Sequence, residues 1–260
     1  MQKGYVFDLD GTIYLSEDLI DGAKEAIRSL RERGDKVVFL TNKSIARRTE
    51  YVEKLGRLGI GVTLDEVVSS NYITAHYLKS VLEDSQEVYV IGEEPLVEEL
   101  RQEGIALTGD WASASYVVLG WDRSFTYEKI NAAFQAWKNG AVLIATNPDR
   151  TCPVEGGELP DCAAMIGALE GVTGEQILVT GKPSGLMAKF VMESVLGMPA
   201  DRCVMVGDRL ETDVKMANEA GMTSVLVLSG ITDAAMAEAS PVQPDYVLES
   251  VAALPAHPGL

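Results

Sequence analysis

The chain has 260 residues, 47% of them hydrophobic and 23% charged, a composition ordinary for a globular protein and long enough for one large domain or two smaller ones. Its 39 acidic residues against 22 basic ones give a formal net charge of −17, which argues against a nucleic-acid partner, because such a protein needs a basic footprint to displace counterions. No run nears the roughly 18 apolar residues of a membrane span, and the opening MQKGYVF lacks the pattern of a signal peptide, so a cytoplasmic chain with no membrane partner is expected.

In chain order, an apolar strand pattern at 4–10 (GYVFDLD) leads to a helical pattern at 21–34, a strand at 36–42 (KVVFLTN), a helix at 44–59, a strand at 66–70 (EVVSS) and a helix at 71–83. After residue 175 the alternation resumes with strands at 176–181 (QILVTG), 202–208 (RCVMVGD) and 223–228 (TSVLVL), a short edge at 245–250 (DYVLES), and helices at 183–197 and 211–221. This alternation predicts an α/β fold, a doubly wound, mostly parallel sheet covered on both faces. The middle has its own strands at 87–92, 115–121 and 141–146 and helices at 95–103 and 127–139. It also holds a long polar piece, NPDRTCPVEGGELPDC (147–162), read as an irregular loop. The expected organisation is a core of 1–83 and 176–260 with an inserted α/β domain at 84–175, and a frayed tail at ALPAHPGL.

Cys152, Cys162 and Cys203 form neither a metal spacing nor an even disulfide set and are read as reduced core thiols. His76 falls in a helical pattern and His257 in the Pro/Gly-bounded tail, so acid–base work is expected to rest on carboxylates. In open α/β sheets ligands bind beyond the carboxyl ends of the strands. The residues there are Asp8 and Asp10, then Thr41 and Asn42, then Lys182, then Asp208 with Asp213. Carboxylates gathered at one edge repel each other, and a hard divalent cation, Mg²⁺, relieves that repulsion. A lysine beside them suits a phosphate, with Gly11 permitting a tight turn that aims backbone amides inward and Pro183 opening a helix. Residues i and i+2 of a strand point to the same side, so Asp8 and Asp10 can flank one phosphorus, one as nucleophile and the other as acid. A P-loop reading fails, since Gln176 replaces the required first glycine and Pro183 the Ser/Thr; GIGVTL (59–64) lacks the third glycine of a dinucleotide fingerprint.

DLDGT, TNK, GKP and GDRLETD resemble, in order and spacing, the four motifs of the haloacid dehalogenase superfamily of aspartate-nucleophile phosphatases. The insertion resembles the α/β cap of its NagD and 4-nitrophenylphosphatase branch. The resemblance implies that Asp8 is the nucleophile and a Mg²⁺ ligand. Asp10 is then the general acid and later base, with its carbonyl on the metal. Thr41, the Asn42 backbone and Lys182 hold the phosphate, Asp208 completes the metal site and Asp213 supports it. Lys43 stands where many relatives carry Asn, which leaves its role open. In the insertion, Asp122, Asn147, Asp149 and Asp161 are the candidates for contacting the substrate's sugar, each with turn capping as the alternative.

The expected activity is Mg²⁺-dependent hydrolysis of small phosphorylated metabolites such as sugar phosphates, with specificity for pyridoxal phosphate, glycerol phosphate or nucleotides as alternatives. A receiver-type phosphoryl-accepting module is the alternative from another class, but it has no use for an acid two residues after the acceptor. A dehalogenase is disfavoured, because a halide leaving group needs no proton. The assembly is left open, with a homodimer through the cap as the candidate.

Overall fold

The computed structural model describes residues 2–154 and 156–260. Contacts divide the chain into two units. The first holds the segment ending at Thr41, Arg48–Val68 and Lys182–Leu260, and the second holds Asn42–Arg47 and Ser69–Gly181.

The first unit is organised by a six-stranded sheet in the order Tyr246–Leu248, Thr223–Val227, Cys203–Gly207, Gly4–Asp8, Lys36–Thr41, Val67–Ser69. The pairings from Tyr246–Leu248 across to Lys36–Thr41 are all parallel. Tyr5, Val6 and Phe7 are fully buried, as a parallel strand covered on both faces requires, and the rings of Tyr5, Phe7 and Phe39 follow one another at about 6 Å. The helix Ala23–Glu32 buries Ala23, Ala26, Ile27 and Leu30, the i, i+3, i+4, i+7 stripe that faces a core. From Gly4–Asp8 the chain moves outward through Lys36–Thr41 on one side and later through Cys203–Gly207 on the other. Strand order therefore reverses at Gly4–Asp8, and three neighbouring strands release Asp8, Thr41 and Asp208 at the same edge.

The second unit carries a parallel sheet in the order Leu178–Val179, Val142–Ala145, Ala114–Leu119, Glu87–Ile91. Side-chain alternation sends Val117 and Leu119 into one core with Ala133, Ile166 and Leu169, and Val118 into another with Leu78, Leu96 and Leu100. Both faces are covered, which is why these strands read as continuous apolar runs.

Four sequence expectations change. The segment 176–181 does not extend the first sheet: Leu178 and Val179 pair with Ile144 and Ala145, because Ile177 belongs to the apolar core with Cys162 and Ile166. Residues 69–83 likewise fall in the second unit, since Ala75 and Leu78 pack with Leu96 and Leu100; the expected boundaries at 83/84 and 175/176 thus differ from this division. The polar piece at 147–162 contains an antiparallel ribbon, Thr151–Val154 with Gly157–Pro160. The tail is docked, with Leu254 and Leu260 buried and His257 edge-on to Tyr246 at 4.9 Å. All three cysteines are buried and none forms a disulfide among the described residues, and burial pushes the Cys162 thiol up to about 12.

Candidate active site

Asp8 ends the strand Gly4–Asp8 with its carboxylate buried, a placement that demands a partner. Lys182 provides it: the residue is 2% exposed, and its ammonium pairs with Asp8 Oδ1 and with Asp213 Oδ1, the latter at 2.8 Å. Asp208, just beyond the adjacent strand Cys203–Gly207, completes the cluster; carboxylate oxygens of Asp8, Asp208 and Asp213 lie within 4.8 Å of one another. Burial pushes the Asp8 carboxyl well above the usual carboxylate range, opposed by Lys182 and reinforced by Asp213 and Asp208. Burial, followed by the Asp213 charge, lifts Asp208 to about 6. Burial works against the Lys182 ammonium, but Asp213 and Asp8 outweigh it, so Lys182 stays charged with a pKa above the ordinary lysine value.

Backbone geometry makes room for these carboxylates. Gly11 has φ of +84°, and a Cβ there would run into the Asp208 carboxylate. A Cβ on Gly230 would meet the same group, and one on Gly207 would meet Asp213. Asp208 Oδ2 accepts the Ile231 N–H at 2.7 Å, and Asp213 Oδ2 accepts the Arg209 N–H at 3.1 Å. The turn after Asp8 closes on the Leu9 carbonyl, which accepts N–H bonds from Thr12, Ile13 and Tyr14. That turn presents Asp10 two residues on, half-buried, with the Tyr14 hydroxyl donating to its Oδ2 at 3.5 Å. Burial first, and Asp10 next, hold the Tyr14 phenol well above its ordinary value, so it stays protonated.

Three carboxylates face one ammonium, and Asp208 Oδ1 is buried with no hydrogen-bond partner among the described residues. A donor set made only of oxygens, one of them buried and unsatisfied, fits a hard divalent cation such as Mg²⁺. Asp10 contributes no carboxylate to that group of three among the described residues.

Thr41 is buried at the end of Lys36–Thr41 in the first unit. Asn42, the next residue, belongs to the second unit, where its Nδ2 donates to Asp149 Oδ2 at 2.8 Å. Asn147 and Asp161 join the same part-buried network, Asn147 Nδ2 donating to Asp149 Oδ2 at 2.8 Å and to Asp161 Oδ1 at 3.2 Å. Asp122 stands apart from these hydrogen bonds: its buried carboxylate pairs with Lys129 Nζ at 2.5 Å and accepts from the Ser124 N–H and hydroxyl. Pro183 does not open a helix; the next one runs Gly185–Phe190, and Ser184 caps it by accepting the Leu186 N–H. His76 is exposed against the Tyr72 ring, leaving the acidic cluster without a histidine.

Sequence reasoning overlooked Tyr14, Thr12, Gly207 and Gly230. Tyr14 closes the apolar stretch YVFDLDGTIY, so a hydroxyl beside two aspartates was visible there. Thr12 Oγ1 is buried without a hydrogen-bond partner among the described residues, and nothing in its local pattern announces that. Gly230 lies 22 residues beyond Asp208, outside the reach of any local motif.

Comparison with known proteins covers most of the chain. A family model described as haloacid dehalogenase-like hydrolase matches residues 5–106, and a second, HAD-hydrolase-like model matches 179–254. The sugar-phosphatase AraL of Bacillus subtilis (strain 168) is 41% identical over 249 residues, 95% of this chain and 90% of that protein. The p-nitrophenyl phosphatase of Archaeoglobus fulgidus superposes with a TM-score of 0.92 at 35% identity, covering 98% of both chains. The glycerol phosphate phosphatase of Mycobacterium tuberculosis, solved in complex with magnesium, superposes with a TM-score of 0.87 at 31% identity, covering 97% of this chain and 76% of that one.

Proposed function

The chain belongs to the haloacid dehalogenase-like hydrolases, and from that premise we propose that it hydrolyses small phosphorylated metabolites, sugar phosphates foremost, through a phosphorylated Asp8. Its class, a phosphoric monoester hydrolase, follows from relatives that are phosphatases along nearly their whole length. One observation carries the reading: a buried carboxylate at a strand end, paired to a buried ammonium and flanked by a second carboxylate with an unsatisfied oxygen.

In the first step a carboxylate oxygen of Asp8 bonds to phosphorus as the ester P–O bond breaks. Asp10 gives its proton to the departing alkoxide. In the second step Asp10 takes a proton from water as the water oxygen bonds to phosphorus, and the bond between phosphorus and Asp8 breaks. Lys182, with the Thr41 hydroxyl and the Asn42 backbone, holds the phosphoryl oxygens. Asp8, Asp208 and the Asp10 carbonyl, with Asp213 in support, would hold Mg²⁺, which when bound would supply positive charge to those oxygens and offset the crowded carboxylates. The Tyr14 hydroxyl bond to Asp10 supports an acid held in place for that transfer. Selection among esters is assigned to the inserted segment 84–175.

The test is turnover of 4-nitrophenyl phosphate and a panel of sugar phosphates by purified protein with Mg²⁺. Asp8→Asn should lower kcat by at least about 10³-fold, and acid quenching during turnover should trap phosphate on Asp8. Full activity in Asp8→Asn refutes the assignment.

A further inference from the structure

Asp149 is one of the four candidates for contacting the substrate's sugar, with turn capping as the alternative, and its carboxylate is engaged by two side-chain amides. Its Oδ2 accepts two amide N–H bonds, one from Asn42 Nδ2 and one from Asn147 Nδ2, each at 2.8 Å. Every member of this network is held in turn. Asn147 is fully buried, its Oδ1 accepting from the Thr146 hydroxyl at 2.7 Å and its Nδ2 also donating to Asp161 Oδ1. Asp161 Oδ1 accepts the Cys162 N–H at 2.5 Å, and the Asp149 carbonyl accepts the Ala163 N–H at 3.0 Å, at the start of the helix Ala163–Thr173. Asp149 is thus held both by its backbone and by its side chain.

Asn42 is gripped at two points: Asp149 takes its side-chain amide, and its carbonyl accepts the Ser70 hydroxyl at 2.7 Å. Hydrogen bonds to an ionised acceptor are about twice as strong as neutral ones, so the Asp149 bond sets which way the Asn42 amide turns. A side chain and a carbonyl both fixed leave the Asn42 peptide little freedom. We infer that Asp149 is a positioning residue that orients the Asn42 backbone directly after Thr41, and acts on the reaction through Asn42 rather than by touching the substrate. This rests on the phosphatase reading above, in which that backbone holds phosphoryl oxygens.

A residue acting on the phosphoryl group affects every ester alike, whereas one that reads the sugar affects only some. Asp149→Ala should lower kcat/KM by about 10- to 100-fold, the range for groups that orient a contacting residue. The factor should be the same for a sugar phosphate and for 4-nitrophenyl phosphate, with the inhibition constant of inorganic phosphate raised in parallel. Asp149→Asn keeps a carbonyl acceptor for Asn42 and should recover most of the loss. In an Asn42→Ala background, Asp149→Ala should cost less than about threefold, since residues acting as a unit are not additive. A loss confined to the sugar phosphate, or a full loss on top of Asn42→Ala, overturns the inference.

Wild type and Asp8→Asn run in the same assay show whether the phosphatase reading itself fails. The Asn42 backbone amide resonance, followed on titration with inorganic phosphate and Mg²⁺, decides the matter without turnover. It should move in wild type and move less in Asp149→Ala, and an identical response in both overturns the inference.

Discussion

Asp208→Asn replaces a buried carboxylate by a neutral amide of the same shape. Asp208 is 1% exposed, and burial followed by the Asp213 charge raises its pKa from 3.8 to about 6. At roughly 1.4 kcal/mol per unit, a rise of roughly two units means that ionised Asp208 costs the metal-free fold about 3 kcal/mol. The sign follows from proton counting. Between about pH 4 and pH 6 the folded protein holds a proton here that the unfolded chain has released, so this group's stabilisation is complete below about 4 and lost above about 6. The asparagine carbonyl can still accept the Ile231 N–H, and its NH₂ can face Asp213. In EDTA at pH 8 the variant should therefore be more stable than wild type by about 3 kcal/mol, a rise in melting temperature of about 6–12 °C for a chain of this size. The gain should vanish by pH 4. Thermal unfolding of both proteins in EDTA across pH 4–8, repeated with Mg²⁺, measures it. Added Mg²⁺ should raise the melting temperature of wild type more than that of the variant, which should also lose turnover. A variant no more stable than wild type at pH 8, or equally favoured at pH 4, refutes the reasoning.

Lys182→Met leaves Asp8 and Asp213 without their shared ammonium and should cost about 3–5 kcal/mol in EDTA, read from denaturant midpoints. An unchanged midpoint would contradict the pairing. Gly11→Ala puts a side chain at φ +84° against the Asp208 carboxylate and should destabilise by at least about 1–2 kcal/mol while lowering kcat, as thermal unfolding and steady-state kinetics will show. EDTA should abolish hydrolysis of 4-nitrophenyl phosphate and Mg²⁺ should restore it; turnover that survives chelation would exclude the metal from the reaction.

The amino-acid sequence by itself determined the fold class and the residues at the strand ends. Buried parallel strands write themselves as unbroken apolar runs, and Asp8, Thr41 and Asp208 each stand at or just past the end of one, so their placement depended on local pattern alone. Tertiary structure alone decided which charges meet. Lys182 reaches Asp8 across 174 residues and Asn42 reaches Asp149 across 107, separations at which periodicity carries no information about partners. The strand Leu178–Val179 makes the same point: its apolar pattern suits either sheet, and only the exposed edge of Val142–Ala145 and the core around Ile177 assign it to the second unit. A short run specifies that a segment is buried in a sheet, while the choice of neighbour is a free-energy comparison between surfaces that exist only once the rest of the chain has folded.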